Sequence, residues 1–464
     1  MTGSRSRLTC TAAVAVVILA SSEGLADINP WIATNIYNPE KWDTSGPETA
    51  TPWLHPPTWT PDQDWGVLSG NLQATALTGS WGGLRDQLLE DGVFVSAAYF
   101  AQPAGNPVGG VDQGSSYKGD LGLAAFLDLE RLVDWKRGYV TASFSYKEGN
   151  DTLSTRDVGN QFPVQLPSFD DDGAATRLVH LALGQQLFDN SVELVAGRII
   201  AGEDFASLRL ACTSLNQAIC GNPIAGAQSI SFPAYPSATW GGRVKFKPGS
   251  GWYAQTGAYL VYPDFRDQDD HGVEFGAPDG SGVLALGEFG YLVGRHRGDN
   301  SRPGKYKIGG YYDGERLQDL KSGKNKRGTW GIYAMGEQML YAEDDTFDQG
   351  LSAFLSLSYA PPDVNRIEFM AAGGLSYKGP LKQRPNDAVS LIGAYGKFSS
   401  DLRSGERARG ESGHTGEGLV EVNYRLQLAP WIFAQPDVQW IINPAGDSKT
   451  DDALVLGLGF GIVF

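Results

Sequence analysis

This 464-residue chain lacks a run of apolar residues long enough for a membrane-spanning helix, which needs about 20 in succession. The nearest candidate, LTCTAAVAVVILA at 8–20, is too short. Arg5 and Arg7 precede it and SSEGLA follows, so it reads as a secretory signal cleaved near Ala26. Cys10 does not end the apolar stretch, which argues against a lipid anchor. Cysteine is scarce. Of three, only Cys212 and Cys220 would survive cleavage, in CTSLNQAIC. An even count in an oxidising compartment predicts a disulfide closing a small loop.

Positive charge is also in short supply. With 37 Lys and Arg against 53 Asp and Glu the formal charge is −16, and no basic stripe stands out. That excludes a nucleic-acid-binding surface. The five histidines, His55, His180, His271, His296 and His414, are scattered without metal-ligand spacing. No phosphate-cradling Gly-Lys-Ser/Thr loop and no serine nucleophile elbow occurs. DQDDHG at 267–272 begins like a calcium loop, but Pro278 stands where the bidentate Glu belongs. It reads as solvated loop, as does Asp170–Asp172. Neither an enzyme nor a cofactor is expected.

What the chain has in abundance is alternation. In LSAFLSLSY, Leu351, Ala353, Leu355, Leu357 and Tyr359 alternate with Ser352, Ser356 and Ser358. In LVEVNYRLQL, Val420, Val422, Tyr424, Leu426 and Leu428 oppose Glu421, Asn423, Arg425 and Gln427. The last residues, DDALVLGLGFGIVF, set Leu454 to Phe464 at every second position, with Gly457, Gly459 and Gly461 between the later ones. Side chains of a strand point alternately to its two faces, so each segment has one apolar and one polar or bare face. Candidate strands start near residues 93, 118, 138, 177, 191, 238, 251, 283, 304, 328, 350, 366, 388, 418, 431 and 452. Those near 177, 191 and 283 are ambiguous in phase, and the short connection APPDVN at 360–365 suggests a miscount near 340–366.

About sixteen strands of about ten residues is the signature of an outer-membrane barrel. The fold class is therefore all-β, a transmembrane antiparallel β-barrel with a short N-terminal helix. A soluble sandwich alternates too, but three features favour lipid. The polar faces carry the mixture of charge, Gly and Ser expected of a wet lumen. Aromatic residues such as Tyr359, Trp431, Trp440 and Phe464 gather at the ends of apolar faces. A final strand ending in Phe matches the signal by which such barrels meet their assembly machinery. The expected organisation is a signal peptide at 1–26, a Trp/Pro-rich extended arm at 27–76, a helix at 77–92 and the barrel at 93–464. In the helix, Ser80 is the expected cap, Trp81, Leu84 and Leu88 share a face, and Gly92 ends it. The arm is either a flexible leader or docked through its tryptophans.

In its ordered stretches the chain resembles the carbohydrate-selective porin family (OprB type). They include LTGSWGGLRDQLLEDG, LVAGRIIAGEDFAS, FPAYPSATWGGRVKFKPGSGWYAQTGAYLVYP, PGKYKIGGYYD and NYRLQLAPWIFAQPDVQWIINPAG. The resemblance implies a sixteen-stranded outer-membrane porin admitting glucose-like monosaccharides by facilitated diffusion, with one loop folded inward to narrow the pore. Its implied partners are small neutral sugars, the bilayer and lipopolysaccharide. The strand phases place Asp120, Asp128, Arg243, Lys245, Lys307, Tyr311, Glu337, Glu368, Glu421, Arg425, Gln435, Asp437 and Gln439 on the lumen side. Mixed donors, acceptors and aromatic faces suit a neutral polyol. The resemblance adds Trp81, Arg85, Arg198, Glu203 and Asp204, although Arg198 shares its strand face with Leu194 and Ala196. Any of these residues either braces the wall or meets the sugar. Loop 201–237, with Cys212 and Cys220, is the expected constriction, an outward cover loop being its alternative. A general diffusion porin and a plugged barrel acting as enzyme or adhesin are the rival functions.

Overall fold

The computed structural model describes residues 76–464 except 167–172, 250, 263–264, 268–270, 275, 295–300, 345–347 and 411–412. The expected signal, the arm up to residue 75 and Asp170–Asp172 lie outside the described residues.

Sixteen antiparallel strands close into one barrel, each pairing with its neighbours in sequence and the first with the last. They are β1 (Val93–Gly110), β2 (Ser115–Asp128), β3 (Gly138–Gly149), β4 (Gly173–Leu187), β5 (Val192–Ile199), β6 (Thr239–Phe246), β7 (Trp252–Val261) and β8 (Gly282–Val293). The second half is β9 (Gly304–Gln318), β10 (Asn325–Ala342), β11 (Gly350–Tyr359), β12 (Ile367–Lys378), β13 (Ala388–Phe398), β14 (Gly416–Ala429), β15 (Ile432–Ile442) and β16 (Asp451–Val463). No strand is miscounted near 340–366. The turn after β11 is short although it lies at the long-loop end, so loop length there is a poor guide to parity.

The apolar faces point outward. Ile308, Ile332, Leu355 and Leu391 are each more than half exposed, while the alternate residues Lys307, Tyr333, Ser356 and Ile392 are buried. A soluble protein does the reverse. This wall suits lipid, where only a closed sheet or a helix satisfies every backbone group. Aromatic clusters mark both ends of the wall. Trp252 lies 5.6 Å from Phe246 and 5.9 Å from Phe289 at the short-turn end, and Trp330 lies 6.0 Å from Tyr359 at the long-loop end. Short turns are periplasmic and long loops extracellular in such barrels.

The glycine face of β16 does not leave open space. A β-carbon at Gly457 would sit 2.1 Å from Asp437 Oδ1, at Gly459 2.9 Å from Leu215, and at Gly461 2.2 Å from Phe433. The bare face is filled by neighbouring side chains and by a loop from the far side of the sequence.

The N-terminal helix is shorter than expected. A single 3-10 turn at Trp81–Gly83 leads into helix α1, Leu84–Glu90. Ser80 makes no side-chain cap, because Gly83, at φ 95°, occupies the capping position. The buried residues are Arg85 and Leu89, whereas Trp81 and Leu84 are exposed. Leu89 packs with Phe94 and Phe126 at the periplasmic end of the lumen, and this contact sets which face turns inward.

Candidate functional site

Residues 200–238, between β5 and β6, fold into the barrel. Exposed loop backbone is solvated by water, but a loop inside a lumen needs wall partners. Carboxylates supply them. Glu288 accepts from Ala206 N at 3.1 Å, Glu337 from Leu210 N at 2.9 Å, and Glu421 from Leu215 N at 2.8 Å as well as from Ser214 Oγ. Amides and hydroxyls hold the loop carbonyls. Asn423 and Gln435 donate to Thr213 O at 2.8 and 2.9 Å, and Ser356 donates to Pro223 O at 2.8 Å. Cys212 and Cys220 are disulfide-bonded within the part of the loop that reaches β14 and β15. The expected constriction loop is thus inside the lumen.

A second inward segment joins it. Gln161 N and Phe162 N donate to Glu417 at 2.7 and 2.8 Å, and Gln217 N donates to Pro163 O at 3.0 Å. Nothing in the sequence signals this partnership, because the contacting segments are separated by about fifty residues and neither has a periodic pattern.

The base of the loop is pinned by ions. Arg243 lies 2.9 Å from Glu193 and 2.9 Å from Asp204. Glu203 lies 2.9 Å from His180 Nε2, whose Nδ1 is 2.7 Å from Ser143 Oγ. Burial pushes the Asp204 carboxyl up, while the Arg243 guanidinium pulls it back down. Arg243, Glu203 and Asp204 are therefore brought together.

The other expected residues are distributed around the lumen. Lys245 and Lys305 flank the Tyr253 ring at 4.9 and 5.5 Å, and Lys307 lies 3.8 Å from Glu288. Tyr311 packs so closely on the loop that a β-carbon at Gly226 would lie 2.2 Å from its hydroxyl. Arg425 stacks 3.5 Å from the Phe433 ring centroid. Asp437 accepts from Gln439 at 2.8 Å. Asp120 accepts from Ser145 at 2.6 Å, Asp128 caps the turn after β2, and Glu368 pairs with Lys397 at 2.5 Å near the rim.

Three expected residues stand apart. Arg198 is buried on the outward face of β5, donating to Leu178 O at 3.1 Å, with Gly272 of the β7–β8 loop against its guanidinium. Alternation already sets Arg198 with Leu194 and Ala196, and the unshifted β4–β5 pairing keeps it there; the lumen position came from the resemblance alone. Arg85 donates to Phe464 O and Val95 O, both at 3.0 Å, and so ties the chain's end to β1. Trp81 lies under it, 5.2 Å from the guanidinium, at the exposed periplasmic mouth.

Between the two inward segments and the β3–β4 wall lies a cavity of about 400 Å³. Lys147, Arg177, Arg266 and Asp151 bring charge of both signs, and Gln161, Gln217 and Gln228 bring amides. Tyr235 supplies an aromatic face, with Lys147 Nζ 5.5 Å from its ring. Arg177 is itself ordered by Ser237 Oγ at 3.1 Å and Phe265 O at 2.8 Å. Arg177, Tyr235 and Arg266 were not singled out by alternation, since two sit on loops and the third on the strand with the shifted register.

The family model described as carbohydrate-selective porin, OprB family, matches residues 112–464. Porin B of Pseudomonas aeruginosa is 27% identical over 423 residues, covering 84% of this chain and 91% of that protein. The putative porin QuiX of Acinetobacter baylyi is 26% identical, covering 88% and 94%. The fold matches the high-pH structure of Pseudomonas putida OprB with a TM-score of 0.78 at 24% identity, over 84% of this chain and 99% of that one.

Proposed function

Because the chain belongs to the carbohydrate-selective porin, OprB family, and is an outer-membrane channel for carbohydrates, we propose that it admits glucose-like monosaccharides and that the cavity beside Tyr235 is where they are selected. The observation that carries this reading is the combination of Tyr235, mixed charge and amides around one space of about 400 Å³. A sugar presents hydroxyls that donate and accept as well as apolar ring faces. Amides and charges of both signs match the former, and an aromatic face matches the latter.

Most lumen carboxylates on β8, β10 and β14 have a different part. Glu288, Glu337 and Glu421 hold loop amides, so they set the width of the passage. Arg243, Glu203 and Asp204 fix the loop's base. These residues act on selectivity by positioning.

Liposome swelling tests the reading. Reconstituted protein should swell vesicles faster in glucose than in a disaccharide. Tyr235→Ala should lower the glucose rate while leaving salt conductance close to that of the parent. Equal rates for glucose and disaccharide, with conductance that glucose does not reduce, would identify a general diffusion pore instead. The terminal Phe464, whose amide donates to Ala97 O at 2.9 Å, is proposed as the feature read by the assembly machinery. Its deletion should lower the heat-modifiable, folded fraction in membranes, and an unchanged fraction would refute that role.

A further inference from the structure

We propose that the outward face of the β9–β10 hairpin, at its extracellular tip, binds the phosphate groups of a phosphorylated glycolipid in the outer leaflet. Arg316 and Arg327 stand directly opposite each other across the two strands. Both are exposed, and Arg316 falls on the outward face with Tyr312 and Ile308. Like charges at directly opposed positions destabilise a sheet. Among the described residues neither makes an ion pair with a carboxylate. The Arg327 Nε donates only to Gly314 O, at 3.2 Å. Two guanidinium forks side by side offer the donor geometry that phosphate accepts.

The surrounding sequence strengthens the charge. Residues 316–327 hold Arg316, Lys321, Lys324, Lys326 and Arg327 against Asp319 alone, a net charge of 5 − 1 = +4 in a chain of −16. Asp319 is engaged within its own turn, accepting from Ser322 N and Ser322 Oγ at 2.7 Å each. Lys326 is paired with Asp363, which leaves the arginine pair and the two loop lysines facing outward or upward.

Depth in the membrane identifies the partner. Trp330 is opposite Tyr312, further along the ladder towards the barrel's middle, and Trp330 is 6.0 Å from Tyr359. Aromatic girdles of this kind border the apolar band where hydrocarbon gives way to headgroups. The arginine pair lies three or four residues beyond it on strands tilted by about 35–45°, and so roughly 7–11 Å higher on the extracellular side at the rise of a strand. That is the height of lipid-borne phosphate, and a site on the outer wall faces lipid and not the passage for sugars. The inference does not depend on which sugar the channel takes.

The test uses the full-length porin in mixed micelles, titrated with a bis-phosphorylated lipid A, the same lipid stripped of phosphate, and inorganic phosphate alone. The parent should bind the phosphorylated lipid at least about tenfold more tightly than the stripped one, the difference expected for one charge-assisted contact. Arg316→Gln with Arg327→Gln should abolish that difference, while Arg316→Lys with Arg327→Lys should retain part of it. Should the double glutamine variant fail to fold, Arg327→Gln alone gives the same reading. Glucose-driven swelling should be unchanged throughout. Equal binding of both lipids by the parent, undiminished binding by the glutamine variant, or inorganic phosphate binding as tightly as the lipid would each overturn the proposal.

Discussion

Arg243 joins a wall residue, Glu193, to a loop residue, Asp204, through one guanidinium. All three are largely removed from solvent, so truncating the arginine leaves two carboxylates facing each other without their cation. Breaking a buried ion pair in this way costs about 3–5 kcal/mol. Arg243→Ala is therefore expected to lower the unfolding temperature and to raise open-channel conductance, because the loop base loses its tie to β6. Planar bilayer recordings check the second effect, and an unchanged conductance would show that the loop is held from elsewhere. A milder result is expected at Glu421. Glu421→Ala strands Leu215 N–H and the Ser214 hydroxyl, at about 1–3 kcal/mol per unsatisfied group, while Glu421→Gln retains an acceptor and should behave more like the parent. Chemical denaturation of the folded barrel distinguishes the two variants.

At the scale of elements, the strands were legible and the inward loops were not. Alternation is a local signal, so β11 and β14 showed their apolar and polar faces from their own residues. The same signal fails where geometry is set from a distance. Arg198 lies on the face that alternation assigns it, and only its burial beneath the β7–β8 loop was hidden. The helix showed its apolar residues but not which of them would be buried, since Leu89 was chosen by Phe94 and Phe126. Glu337 and Glu421 were expected on the lumen side but Glu288, on a strand of ambiguous phase, was not, and the loop partners of all three lie about 80 to 210 residues away in sequence with no pattern linking them. The Cys212–Cys220 pairing was readable from cysteine count and compartment, and it sits in the loop. Replacing both with serine removes a cross-link that typically contributes about 2–4 kcal/mol. The expected consequence is a noisier current and less discrimination between glucose and a disaccharide, measured by single-channel recording and swelling. Equal noise with and without reductant would assign the loop's rigidity to its hydrogen bonds alone.

For the molecule as a whole, orientation governs everything. The outward apolar wall predicts that Leu355→Arg, near the middle of β11, destabilises the barrel by about 2–4 kcal/mol in a bilayer. Replacing outward Lys397 at the rim should cost far less. Refolding into lipid vesicles under a denaturant series measures both, and a negligible effect at Leu355 would contradict the lipid-facing assignment. The interior of a barrel this wide is normally wet. Here much of it is occupied by two chain segments, and the remaining passage is shaped by backbone as much as by strand side chains. Substitution of wall residues should therefore alter transport mainly by shifting these segments.

The union of β1 with β16 has a temporal corollary. Arg85 grips the carbonyl of Phe464, and Phe464 in turn reaches Ala97, so the residue that follows β16 helps sew the last seam. Until then both margins of the sheet are unpaired edges, the kind that recruit other chains. An exported polypeptide with this architecture must travel unclosed, and its safety in transit is a matter of escort and speed.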